Sequence, residues 1–153
     1  MTSLLVCASV SHGNTRRVAE EMAGVLNAAI VRPGEIRPTD LAGHDLVGFG
    51  SGIYNMAFHP HLRELVQSVP GGQSGRAFVF STSGLPEPGF RRYTRRFELS
   101  LQQKGYDTVG SFSCRAFDTW WPFKAFGGIR KGRPNADDLQ AARDFAKNLR
   151  LTD

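Results

Sequence analysis

The chain has 153 residues, 41% hydrophobic and 22% charged, which fits one globular domain spanning 1–153 with enough length to bury a real core. Its formal net charge of +5 favours acidic partners or anionic ligands, but no helix-turn-helix, zinc-finger or RNA-binding aromatic motif accompanies it, so nucleic acid is not an expected partner. No apolar run reaches the roughly 20 residues of a membrane helix and the first residues lack a signal-peptide pattern, so the expectation is a cytoplasmic protein with no membrane span.

SLLVCAS (3–9) is a continuous apolar run, the mark of a strand buried on both faces. Behind it Val18, Ala19, Met22, Val25 and Leu26 recur at helical spacing and give one apolar stripe. NAAIVRPGEI (27–36) predicts a second, weaker strand, and Pro33 with Gly34 suggests an edge. HDLVGFGSGIY (44–54) predicts the third, followed by a helix over 59–69 with Leu62, Leu65 and Val66 inward. RAFVFSTSG (76–84) predicts the fourth strand, 88–104 an Arg-rich amphipathic helix, and DTVGSFSCRAF (107–117) the fifth strand. The last helix is expected over 136–149, with Asn135 placed to cap it and Asp138 three residues on. Leu139, Ala142, Phe145, Ala146 and Leu149 form its inner stripe.

This βα alternation has no internal repeat and predicts an α/β fold, an open parallel sheet with helices on both faces. Ligands of such sheets sit beyond the carboxyl ends of the strands, where strand order reverses. Polar and glycine residues crowd three of those ends: Ser9 to Thr15, Gly50 to Asn55, and Ser81 to Gly84.

In SVSHGNT (9–15) the hydroxyls of Ser9, Ser11 and Thr15 can donate to phosphate oxygens without adding formal charge. Gly13 permits a tight turn, and the helix beginning near Asn14 adds its unsatisfied amides and positive dipole end. Helix capping by Ser11 or Asn14, about 1 kcal/mol, would explain one such residue but not the whole run. The segment is neither G-x-x-x-x-G-K-[ST] nor G-x-G-x-x-G, and no acid closes the second strand to hold a ribose. A phosphoacceptor domain would need carboxylates where Ser9 and Ser51 stand, which argues against phosphoryl chemistry.

SHGNTRRVAEEMA resembles the FMN-phosphate loop of the flavodoxin family, in which a hydroxyl-rich turn ending in G-N-T leads into the first helix. GFGSGIYN after the third strand and FSTSG after the fourth resemble the two loops that hold the flavin ring in that family. The order and spacing of all three agree, and the tail CRAFDTWWPFKAFGGIRKGRPNADDL resembles that of a branch of small flavodoxin-like proteins. The resemblance implies a three-layer αβα sandwich with a five-stranded parallel sheet in the order 2-1-3-4-5. It implies that Ser9, Ser11, His12, Gly13, Asn14 and Thr15 surround the phosphate of FMN. Ser51, Gly52, Ile53, Tyr54 and Asn55 would line one side of the ring, and Ser81, Thr82, Ser83 and Gly84 the other, largely through backbone groups. His12 stands where well-known flavodoxins resemble one another in having threonine.

Tyr54, Trp120 and Trp121 are the aromatic candidates for covering the flavin, whereas Phe58 and Phe90 are expected in the packing. On the family's strand order Cys7 and Cys114 lie three strands apart, roughly 14 Å, beyond the ~7 Å limit for a disulfide, and both are expected to be small core residues. GGIRKGRPN (127–135) and Arg91, Arg92, Arg95 and Arg96 form basic surface, either a solvated face or a dock for an acidic protein or a carboxylate-bearing substrate.

No nucleophile–base pair, metal cluster or paired acid suggests hydrolysis, so any chemistry would be the flavin's. The resemblance implies an FMN-binding redox protein that passes electrons between a reductase and an acceptor, its partner a redox protein, acidic on charge grounds, or a small-molecule acceptor. The alternatives are an FMN enzyme acting directly on a quinone or a porphyrinogen-like acid, and a flavin-free interaction domain. Familiar flavodoxins are acidic, so the basic surroundings here lead us to expect a less negative potential for the fully reduced flavin.

Overall fold

Six consecutive buried residues, Ser3–Ala8, form β1, the strand about which the rest is arranged. The structure, a computed structural model, describes residues 2–8, 13–54, 56–83, 92–115 and 134–151. The elements are β1, α1 (Asn14–Leu26), β2 (Ala29–Val31), β3 (Leu46–Tyr54), β4 (Ala57–Phe58), α2 (Pro60–Ser68), β5 (Arg76–Ser83), α3 (Tyr93–Gln103), β6 (Asp107–Arg115) and α4 (Ala136–Leu151). The five main strands run parallel in the order β2-β1-β3-β5-β6, the arrangement expected of the sequence.

Side-chain alternation divides the core into two layers. Leu4 and Val6 of β1, Val47 and Phe49 of β3, and Ala77 and Val79 of β5 meet Leu62, Leu65 and Val66 of α2 and Phe97 and Leu101 of α3. The alternate residues Leu5, Cys7, Phe78 and Phe80 meet Val18, Ala19 and Met22 of α1 and Ala142, Ala146 and Leu149 of α4. Each fully buried ring contributes on the order of 2–3 kcal/mol, so two such layers hold the sheet from both sides. On the α1/α4 side β3 offers Gly48 and Gly50, and the rings of Phe78 and Phe80 lie against their bare backbone.

The second strand is shorter than 27–36, keeping three paired residues before two 3-10 turns at Pro33–Glu35 and Pro38–Gly43. Proline fixes φ and removes a donor, so Pro33 and Pro38 suit the first positions of turns rather than a ladder. As expected, β2 is an edge. The helix after the fourth strand begins at Tyr93, and α4 begins as expected: Asp138 N–H donates to Asn135 Oδ1 at 2.9 Å and Asn135 N–H to Asp138 Oδ2 at 2.8 Å. β4, which is too short to leave a pattern in the sequence, folds back on β3 through Ile53–Phe58 and Tyr54–Ala57 pairs. Met56 turns that hairpin at φ 61°, a conformation few non-glycine residues adopt.

Phe58 belongs to the core, as expected, stacked on Phe97 at 4.5 Å. Cys7 and Cys114 are buried thiols on β1 and β6, not joined in a disulfide, with two strands between them. Burial pushes the Cys7 thiol up to about 12, so the reactive thiolate is suppressed at neutral pH. Among the described residues no helix is long and apolar enough to cross a membrane.

Candidate functional site

Parallel register brings the described residues of the three polar segments to one end of the sheet. Ala8 lies beside Ser51, Ser51 beside Ser81, and Gly52 beside Thr82. At this end α1 starts at Asn14 with Gly13 as its N-cap, at φ 62° in the left-handed region that glycine occupies without strain. Glycine has no side chain with which to cap the first-turn amides, and no acid stands in that turn. Those N–H groups and the positive end of the dipole therefore suit an anion.

Asn14 and Thr15 are buried beneath this turn. Thr15 Oγ1 and Thr82 Oγ1 are 2.7 Å apart, a buried hydroxyl–hydroxyl hydrogen bond that ties α1 to the end of β5. Each hydroxyl has one proton and can accept as well as donate. If Thr82 donates, the Thr15 proton is left for another acceptor. Ser81 is buried beside Thr82, and Ser83 is half-buried at the strand's last position.

Ser51 has a local task. Its hydroxyl donates to the Gly52 carbonyl and accepts from His59 N–H at 2.9 Å. The side chain is wholly buried and ties the end of β3 to the residue that follows β4. Ile53 is half-buried and packs on the core layer shared with α2 and α3. Of the remaining expected site residues, Ser9, Ser11, His12, Asn55, Gly84 and Trp120 lie outside the described residues, as do Phe90 and Trp121.

The structure adds His59, which the sequence reading passed over. It is the N-cap of α2, and its Nδ1 accepts from His61 N–H at 3.0 Å. Proline at the first helical position was the available signal, since it marks the residue before it as a cap. Burial holds the His59 pKa below its ordinary 6.5, helped by His61 and Arg63 and opposed by Glu64. The neutral ring is the one that can accept the capping bond, so folding favours that form. A lowered folded pKa means that this stabilisation is complete above about 6.5 and is lost as pH falls through the folded value. In urea titrations across mildly acidic pH, His59→Asn, which keeps a capping acceptor without the titration, should flatten the loss of stability seen in the parent. Parallel pH curves for the two proteins would remove His59 from that role.

The basic side chains at this end differ in their partners. Arg16 forms an exposed i,i+4 pair with Glu20 at 3.3 Å, an arrangement worth under about 1 kcal/mol. Arg17 Nη2 donates to the Pro134 carbonyl at 3.1 Å, linking α1 to the approach to α4.

A family profile described as "Flavodoxin domain" matches residues 5–116 of the chain. An uncharacterized protein of Methanocaldococcus jannaschii is 36% identical over 151 residues, covering 97% of this chain and 98% of its own. Among solved structures, the fold is similar to that of a Streptococcus pneumonia TIGR4 flavodoxin, with TM-score 0.76 and 11% identity over 100% of both chains. It is also similar to flavodoxin 1 of Bacillus cereus, with TM-score 0.72 and 15% identity over 98% of both chains.

Proposed function

The chain belongs to the flavodoxin domain family, and from that premise we propose that it binds FMN at the carboxyl end of its sheet and carries electrons between a reductase and an acceptor. The observation that carries this reading is the junction of α1 and β5 through the Thr15–Thr82 hydrogen bond, beside an uncapped helix start. The donor set fits a phosphate group: first-turn amides, a glycine turn without side chain, and a hydroxyl relay with a proton to spare. In this reading Gly13, Asn14 and Thr15 hold the phosphate together with Ser9, Ser11 and His12. Gly52 to Asn55 and Ser81 to Gly84 flank the ring, and Tyr54 and Trp120 supply its aromatic cover.

Bound FMN would supply one- and two-electron chemistry. The protein's part is to hold and orient it. Ser51, by closing the hairpin onto His59, keeps the backbone of Gly52 and Ile53 in a fixed place. The Thr15–Thr82 bond keeps the phosphate turn and the β5 end at a constant separation.

The visible spectrum of the purified protein, followed by titration with FMN, tests the reading. Flavin bands that sharpen or shift on binding are expected, and a protein that stays colourless after FMN addition and gel filtration would overturn it. Rapid NAD(P)H-driven turnover of quinones by the pure protein would replace the carrier with a directly acting oxidoreductase. Basic surroundings would also stabilise a bound flavin in its anionic, fully reduced form. The second one-electron potential is therefore expected to be less negative than that of an acidic flavodoxin, by about 60 mV or more, a tenfold change in equilibrium. A redox titration giving a potential as low as that of an acidic flavodoxin would contradict this.

A further inference from the structure

The excess positive charge is not spread evenly over the fold. The first turns of α1, α2 and α3 contain no acid and their last turns contain no base. Those first turns carry Arg16 and Arg17 on α1, Arg63 on α2, and Arg95 and Arg96 on α3, where Arg92 is the N-cap; all six are exposed. The positive end of a helix dipole disfavours cations, so three helices share the placement that helix stability selects against. The fourth has the ordinary polarity, with Asp137 and Asp138 in its first turn and Arg150 in its last.

Three of these arginines make contacts that leave their charge in place. Arg17, Arg63 and Arg96 donate to the carbonyls of Pro134, Phe58 and Met56, bonds that position a guanidinium without neutralising it. Arg95 has no ion-pair partner among the described residues. Of the nearby acids, Glu20 is paired with Arg16 and Glu21 with Arg143. Glu64 and Glu98 sit just beyond the first turns of α2 and α3. At the opposite end of the sheet acids and bases are mixed, with Asp45 and Asp107 beside Arg76.

We propose that Arg16, Arg17, Arg63, Arg92, Arg95 and Arg96 form a docking ring for an acidic redox protein, set around the carboxyl end of the sheet. The inference rests on the electron-carrier reading for its purpose, and on charge and position for its chemistry. The arginines come from helices on both faces of the sheet, α1 on one and α2 and α3 on the other, at the end that holds the candidate flavin site. A partner held by them would cover that site, where an electron has the shortest path. A line of arginines along one helix or groove would instead suit a phosphate backbone. Complementary charge of this kind raises the rate and selectivity of encounter and weakens with salt.

The test measures equilibrium binding of an acidic [2Fe–2S] ferredoxin, used as the probe, by fluorescence anisotropy at low and moderate salt. Because it needs no flavin transfer, a failure of FMN binding does not obscure it. The parent is expected to bind the ferredoxin with an affinity that falls as salt rises, and to show no affinity for the basic cytochrome c. Arg95→Glu with Arg96→Glu should weaken ferredoxin binding by about 10-fold or more at low salt, with unchanged circular dichroism. Lys104→Glu with Lys147→Glu makes the same change in net charge at the other end of the helices and should leave binding within about twofold. Equal losses in the two double variants would mean that only net charge matters, and would overturn the ring. Tighter binding to duplex DNA or phosphatidylserine vesicles than to ferredoxin, with the same loss in Arg95→Glu/Arg96→Glu, would overturn the acidic protein as its partner.

Discussion

Replacing Asn14 and Thr15 together by alanine is expected to weaken FMN binding by about 100-fold or more, with the fold retained. Hydrogen bonds to a charged group contribute about 1.5–3 kcal/mol each, and two polar side chains beneath the phosphate turn are removed at once. Both residues are buried, so water does not readily take their place. Alanine keeps the helical backbone, so the first-turn amides and dipole remain, and a residual affinity should survive. Thr82→Val gives a second measure. It removes the hydroxyl 2.7 Å from Thr15 while keeping the side chain's shape, and leaves Thr15 to find another partner. Its expected effect is smaller, about 10-fold on FMN binding, together with a modest loss of stability. Unchanged FMN affinity in the Asn14/Thr15 double variant would remove these residues from the phosphate site.

Gly50→Ala is expected to cost about 3 kcal/mol or more, a large part of the roughly 5–15 kcal/mol that holds a domain of this size. A methyl group at Gly50 would land inside the ring of Phe80, at its Cε2 and Cζ. That ring has nowhere to go. It is fully buried, 6.0 Å from Phe78, whose own ring is 5.7 Å from Phe145 of α4. The added volume must therefore push β3 away from α4 or force the ring off its rotamer. Because Gly50 directly precedes Ser51, the strain falls beside the hairpin, so FMN affinity should drop along with the melting temperature. Pairing Gly50→Ala with Phe80→Leu should recover part of the stability. A Gly50→Ala protein within 1 kcal/mol of the parent in urea melts would show that the close approach of Phe80 is dispensable.

These two positions differ in how far the sequence alone revealed them. Asn14 and Thr15 belong to a run whose polar character is legible because the proposed phosphate turn would use local features: a glycine, hydroxyls and a helix start within seven residues. Gly48 and Gly50 fall inside the third predicted strand, Gly50 at its polar end, and nothing near them in sequence gives the reason for either. Their reason is non-local, since the rings that need the space belong to β5, some thirty residues later. His59 was passed over for a related reason. Its cap is local, but its bond to Ser51 exists only because a two-residue strand folds back on β3. Such a strand is too short to leave a period in the sequence. The arginines were visible as composition, but whether they gather at one end depends on the direction in which each helix runs.

Hydrophobic periodicity by itself determined the alternation of strands and helices and the apolar faces of the helices, and Pro33 with Gly34 marked the weak second strand as an edge. The cap at Asn135 was legible too, because three residues complete it. These are features of spacing along the chain, and spacing is what a sequence states directly. Only the tertiary structure decided that Thr15 and Thr82, 67 residues apart, share a hydrogen bond, and that Ser51 faces inward to close a hairpin. It also decided that the unused face of β3 is filled by the rings of Phe78 and Phe80. Parallel strands pair through crossover helices, so the contacts that build this end of the sheet join residues far apart in the chain and acquire their meaning only once the register is fixed.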